Sequence, residues 1–107
     1  MQFEELAERV CLEESEFLEL VELFAETSVS DLGKLQSAIE QEDTQQVVET
    51  AHSIKGASGN LGFQNVYEVA KGIEMNARQN ILEGSQGAAN SLKEKIELIA
   101  KSLEEGS

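Results

Sequence analysis

The sequence predicts an all-α protein: an antiparallel up-down four-helix bundle with a short extra N-terminal helix. Three observations carry this. The 107 residues include no proline, so nothing removes a backbone donor or blocks a helical turn. Apolar residues recur every three to four positions over nearly the whole chain, which is the spacing of one helix face. The polar breaks between these stretches are only a few residues long, so successive helices must turn back on one another. No strand is expected.

A first short helix is expected over residues 2–10, with Phe3, Leu6 and Val10 on one side. A long second helix is expected over residues 14–40. Its inward positions are Phe17, Leu20, Val21, Phe24, Leu32, Leu35 and Ile39. Gly33 interrupts it, at a cost of about 1 kcal/mol relative to Ala. A turn follows at 41–43. Asp43 with Gln46 resembles a capping box and starts the third helix. That helix should stop near 60–62, where Gly62 suits a left-handed position. A fourth helix is expected over 64–82, a turn at 83–85, and a last helix over 87–103. Ala89, Leu92, Ile96, Ile99 and Leu103 point inward on the last one. A chain of this length makes one core, so residues 1–107 are read as a single domain. Phe3, Phe17, Phe24 and Phe63 all sit at core spacing. Cys11, the one cysteine, lies between two helices and is read as a buried or boundary thiol. With no second cysteine there is no intrachain disulfide, which fits a reducing cytoplasm.

Net charge is −13. Residues 1–54 hold 14 acidic and 2 basic side chains, whereas residues 55–107 hold 7 and 6. Such a surface repels phosphate backbones and anionic lipid, which argues against nucleic-acid and membrane roles. No apolar run approaches the ~20 residues of a membrane span. The acidic start MQFEELAERV does not read as a signal peptide. The sequence has no GxxxxGK[ST] loop, no second histidine and no cluster of aspartates. Nucleotide, zinc and magnesium sites are therefore not expected in this chain.

The chemistry centres on His52, the only histidine. At about 100° per residue, Val47, Ile54, Ala57 and Leu61 fall roughly opposite it on the helical wheel. A lone histidine is more often a satisfied core residue, but this one is expected to face solvent. Val48 lies one turn before it, Gly56 one turn after and Gly59 two turns after. Two interior glycines cost roughly 1 kcal/mol each. On a face turned from the core, their use is clearance for an approaching molecule, with Val48 as an apolar contact. Lys55, three residues on, supplies a positive charge for an anion. An exposed neutral imidazole beside a cation suits nucleophilic acceptance of a phosphoryl group.

On the fourth helix, Tyr67, Lys71, Glu74 and Arg78 edge the apolar set. His52 and Glu74 lie equally far from Phe63, so they share a height if the hairpin turns there. Glu74 then has two readings. It accepts a hydrogen bond from the imidazole and fixes its tautomer, or it belongs to an exposed stripe and pairs with Arg78 at i,i+4. Arg78 and Lys71 are read as members of that stripe.

The segment AHSIKGASGNLG, residues 51–62, resembles the signature of the histidine-containing phosphotransfer (HPt) domains of bacterial two-component phosphorelays. The match lies at His52, Lys55, Gly56, Gly59 and Gly62, and the helical pattern on either side extends the resemblance to nearly the whole chain. The resemblance implies a phosphoacceptor at His52, with Lys55 stabilising the phosphoryl group and Glu74 orienting the ring. The clearance read from the wheel places the docking of a partner over Val48, Gly56 and Gly59. The partners would be a response-regulator receiver domain and a histidine kinase, with Mg²⁺ carried by the receiver and no cofactor here. The chain would be a cytoplasmic, monomeric phosphocarrier rather than an enzyme. The alternative is a non-catalytic helical module that docks a partner through the same surface.

Overall fold

The computed structural model describes residues 3–105, which form five α-helices with no strand among them. They are α1 (Phe3–Arg9), α2 (Glu14–Glu40), α3 (Thr44–Leu61), α4 (Gln64–Arg78) and α5 (Ser85–Glu104). The expected start of the first helix at Gln2 lies outside the described residues. At ~1.5 Å per residue, α2 is about 40 Å long, and the molecule's longest dimension is 40 Å. α2 packs on α3 and α5, α4 packs on the same two, and α1 lies against α2. Among the described residues no helix is long and apolar enough to cross a membrane.

Each helix contributes one buried stripe. On α2 it runs through Phe17, Val21, Phe24, Leu32, Leu35 and Ile39, with Ala25, Ser28 and Ala38 filling the turns between. Leu20, expected inward, is 42% exposed. Leu20 sits instead on the wall of an open apolar groove, while the stripe takes in Ala25 and Ser28. Gly33 leaves α2 unbroken and faces open space. Leu6, Val10, Ala57 and Leu103 are half-buried at the core's margin. Four aromatic rings run through the core in contact. Phe3 meets Phe17 at 6.4 Å between centroids, Phe17 meets Phe63 at 6.4 Å, and Phe63 meets Phe24 at 5.4 Å. Phe63 therefore anchors the α3–α4 turn to α2.

Four helices stop in the same way. A residue with positive φ follows the last turn, and the next N–H reaches back five residues. At the end of α3 this residue is Gly62, with Phe63 N–H bonded to Ser58 O at 2.9 Å. Cys11 (φ 60), Glu42 (φ 55) and Asn80 (φ 61) serve after α1, α2 and α4. Leu12, Asp43 and Ile81 make the returning bonds to Ala7, Ala38 and Asn76. Two expectations change as a result. α4 ends at Arg78 rather than 82, because Asn80 takes the left-handed conformation that asparagine tolerates. Cys11 is exposed rather than buried, because it occupies that turn. α5 starts at Ser85, two residues earlier than expected, behind Gly84 at φ 82. Asp43 caps α3 as expected, accepting from Gln46 N–H at 3.2 Å.

Candidate functional site

The core face of α3 is Val47, Ala51, Ile54, Ser58 and Leu61, all buried. His52 points the other way, and its side chain is 61% exposed. Val48, one turn earlier, is half-buried against the margin of the core. Ser53 Oγ donates to Asp31 Oδ2 at 3.2 Å and ties this part of α3 to α2.

The turn at Gly62–Phe63 sets the register between α3 and α4. Residues equally far from Phe63 meet across the interface, as the spacing predicts. Gly59 meets Tyr67, and His52 meets Glu74. The surroundings of the two interior glycines then differ. A Cβ at Gly56 would meet nothing within 4 Å, so the approach to His52 from that side is open. A Cβ at Gly59 would come within 3.1 Å of Tyr67 Cδ2. The expected clearance above Gly59 is therefore occupied by this chain's own tyrosine, and the bare backbone there serves a contact between helices. Lys71 Nζ lies 6.0 Å from the centre of the same ring.

Glu74 fits both sequence readings in part. Its side chain is 4% exposed, so it is not part of a solvated stripe. Its Oε2 accepts from His52 Nδ1 at 2.9 Å and from Arg78 Nη2 at 2.7 Å, and its Oε1 accepts from Lys55 Nζ at 2.7 Å. Burial opposes ionisation of this carboxyl. The hydrogen bonds from Lys55, Arg78 and His52, with the charge of Lys55, outweigh it and lower the pKa from 4.5 to about 2. An ionised carboxylate only accepts, so the imidazole proton sits on Nδ1. Nε2 then carries the lone pair on the exposed side of the ring.

Lys55, expected beside the ring for an incoming anion, rests on Glu74 with its side chain 23% exposed. Arg78 is exposed and pairs with Glu74 at i,i+4, as expected of it. Tyr67 is the site residue whose role the sequence did not assign, although it was legible as the residue opposite Gly59 across the turn. Beyond Ala57, an apolar groove of about 420 Å³ lies between the α1–α2 connection, α2 and α3. Val10, Leu20, Leu23, Phe24, Ala57 and Leu61 help to line it. Leu23 is 57% exposed, whereas the Phe24 ring is buried at the groove's floor.

The described residues hold no group of three or more acidic, histidine or cysteine side chains placed to bind a metal. What the site presents is one exposed, oriented imidazole with two cations on the carboxylate that holds it.

The sequence matches the Hpt domain family over residues 19–102, a span that includes all of α3 and α4. The chain belongs to the Hpt domain family. Hpt domains serve histidine phosphotransfer in phosphorelays, together with receiver domains and histidine kinases, and are phosphocarriers rather than catalysts. The fold of this Hpt domain resembles the crystal structure of histidine-containing phosphotransfer protein B (HptB) from Pseudomonas aeruginosa PAO1. The TM-score is 0.84 at 26% identity, over 94% of this chain and 88% of HptB. No curated protein matches the sequence at a significant level.

Proposed function

We propose that this Hpt domain is a phosphorelay intermediate that carries a phosphoryl group on Nε2 of His52. It takes the group from a receiver-domain aspartate or a histidine kinase and passes it to another receiver. The observation that supports this most is the exposed imidazole whose Nδ1–H is held at 2.9 Å by a buried, ionised carboxylate. The Nε2 lone pair attacks phosphorus, the N–P bond forms, and the acyl-phosphate P–O bond breaks. The aspartate leaves as a carboxylate with the electron pair. Nδ1 keeps its proton, and Glu74 faces the positive charge the ring acquires. Lys55 stabilises the phosphoryl oxygens as charge shifts onto them.

The receiver docks over the open side at Gly56, with Val48 and the apolar groove beyond Ala57 as contacts. Magnesium belongs to that receiver. In this reading α2–α5 form an antiparallel up-down bundle. Their closed ring of packing pairs and their short connections support it. The domain spans residues 1–107 and works as a monomer in the cytoplasm.

The test is incubation with a ³²P-labelled phosphorylated receiver domain or a labelled histidine kinase. The expected product is an acid-labile, alkali-stable phosphoprotein. His52→Gln abolishes the label while circular dichroism shows an intact helical fold. Label retained on the folded His52→Gln variant would overturn the assignment.

A further inference from the structure

Glu74 brings one negative charge to the site and receives two positive ones. Lys55 occupies Oε1, while Arg78 occupies Oε2, the oxygen that also accepts from His52. A carboxylate alone against an imidazole favours the imidazolium, because the opposite charge stabilises the protonated ring. An imidazolium has no free lone pair and cannot attack phosphorus. The group that orients the ring therefore works, unaided, against its nucleophilicity.

The geometry points to Arg78 as the positioning residue that resolves this conflict: its charge on Oε2 offsets that of Glu74, so the carboxylate orients the His52 ring with a weaker pull on its protonated form. The inference rests on the phosphotransfer reading of His52 and adds a residue which that reading leaves idle. Arg78 suits the task better than Lys55 because it lies four residues from Glu74 on the same helix, so the pair does not depend on the packing of α3 against α4. Lys55 reaches Glu74 from α3 and can transfer to phosphoryl oxygens during the reaction, which leaves Arg78 to hold the carboxylate.

The other charged groups around the ring are few. Glu49 precedes His52 by three residues on α3, and Lys71 precedes Glu74 by three on α4; both are exposed. α2 contributes Asp31, which accepts from Ser53. None of the three bonds to Glu74 or to the imidazole.

His52 is the only histidine, so its ring protons can be followed by NMR without ambiguity. The experiment titrates them in the wild-type protein, in Arg78→Gln and in Arg78→Lys. Arg78 Nη2 and His52 Nδ1 lie 2.7 Å and 2.9 Å from the same oxygen, and removing a charge so placed at a partly screened site raises the midpoint by about half a pH unit. That corresponds to about threefold more imidazolium relative to imidazole. Arg78→Lys keeps the charge and leaves the midpoint close to that of the wild-type protein. The acid limb of the pH–rate profile for phosphoryl acceptance moves with the midpoint in each variant. A midpoint that is unmoved or lowered in Arg78→Gln overturns the inference, and so does an equal shift in the Gln and Lys variants. The titration needs no phosphoryl transfer. Absence of transfer to the wild-type protein would therefore sink the phosphotransfer reading, while the ring titration would still judge Arg78.

Discussion

Replacing Glu74 with Gln keeps the side chain's size and removes its charge, and the structure sets the expected loss. The folded carboxyl titrates at about 2 against an ordinary 4.5, and each unit corresponds to ~1.36 kcal/mol. The ionised form therefore contributes about 3 kcal/mol to stability at pH 7. The sign follows from the direction of the shift. A carboxyl depressed by folding contributes fully above its unfolded value near 4.5, and the contribution is lost as the pH falls through about 2. Roughly half remains near pH 3. The amide resembles the protonated acid, and it also sets an N–H₂ against one of the three donors now bonded to the carboxylate. The expected destabilisation at pH 7 is about 3 kcal/mol, or roughly 12 °C in Tm for a domain of this size. Urea unfolding followed by circular dichroism at pH 7, 5 and 3 measures it. The gap between wild type and variant should close to about half by pH 3. A gap under about 1 kcal/mol at pH 7, or one of constant size across the range, would refute the account of a buried carboxylate stabilised by its three donors.

Gly56→Ala should stabilise the helix by about 1 kcal/mol, because nothing lies within 4 Å of the added Cβ. Gly59→Ala should gain clearly less, because its Cβ meets Tyr67 at 3.1 Å; thermal unfolding of the two variants compares them. Gly56→Leu should keep the fold and weaken transfer from a phosphorylated receiver, measured as the initial rate of labelling. Glu42→Gly should raise stability by about 0.5–1 kcal/mol, because Glu42 sits at φ 55 in the turn after α2; chemical denaturation reads it. Phe63→Ala should cost about 3–5 kcal/mol, because the ring joins Phe17 and Phe24 at the pivot of the α3–α4 turn.

The elements and the chemical candidate were legible because they depend on local spacing. Helical periodicity places Phe17, Val21, Leu32 and Leu35 on one stripe whatever surrounds them. Asp43 and Gly62 mark the two ends of α3 through hydrogen bonds that close within a few residues. The same wheel turns His52 outward. Symmetry about Phe63 placed His52 level with Glu74, and the hydrogen bond between them follows that register. Asn80 was the weaker local signal. It ends α4 in a left-handed turn that many asparagines never enter, and the fourth helix was accordingly expected to run too far.

Composition and periodicity alone established a helical chain with an outward histidine among glycines and a cation three residues away. They left open what each edge residue faces, since a helix edge reads identically whether it meets water or a neighbouring helix. Packing of α4 on α3 buries Glu74 and draws Lys55, Arg78 and the imidazole onto one carboxylate. It also fills the space over Gly59 with Tyr67 and leaves Gly56 open. Desolvation and the distances between charges exist only once two helices lie side by side, and the orientation of the imidazole depends on both.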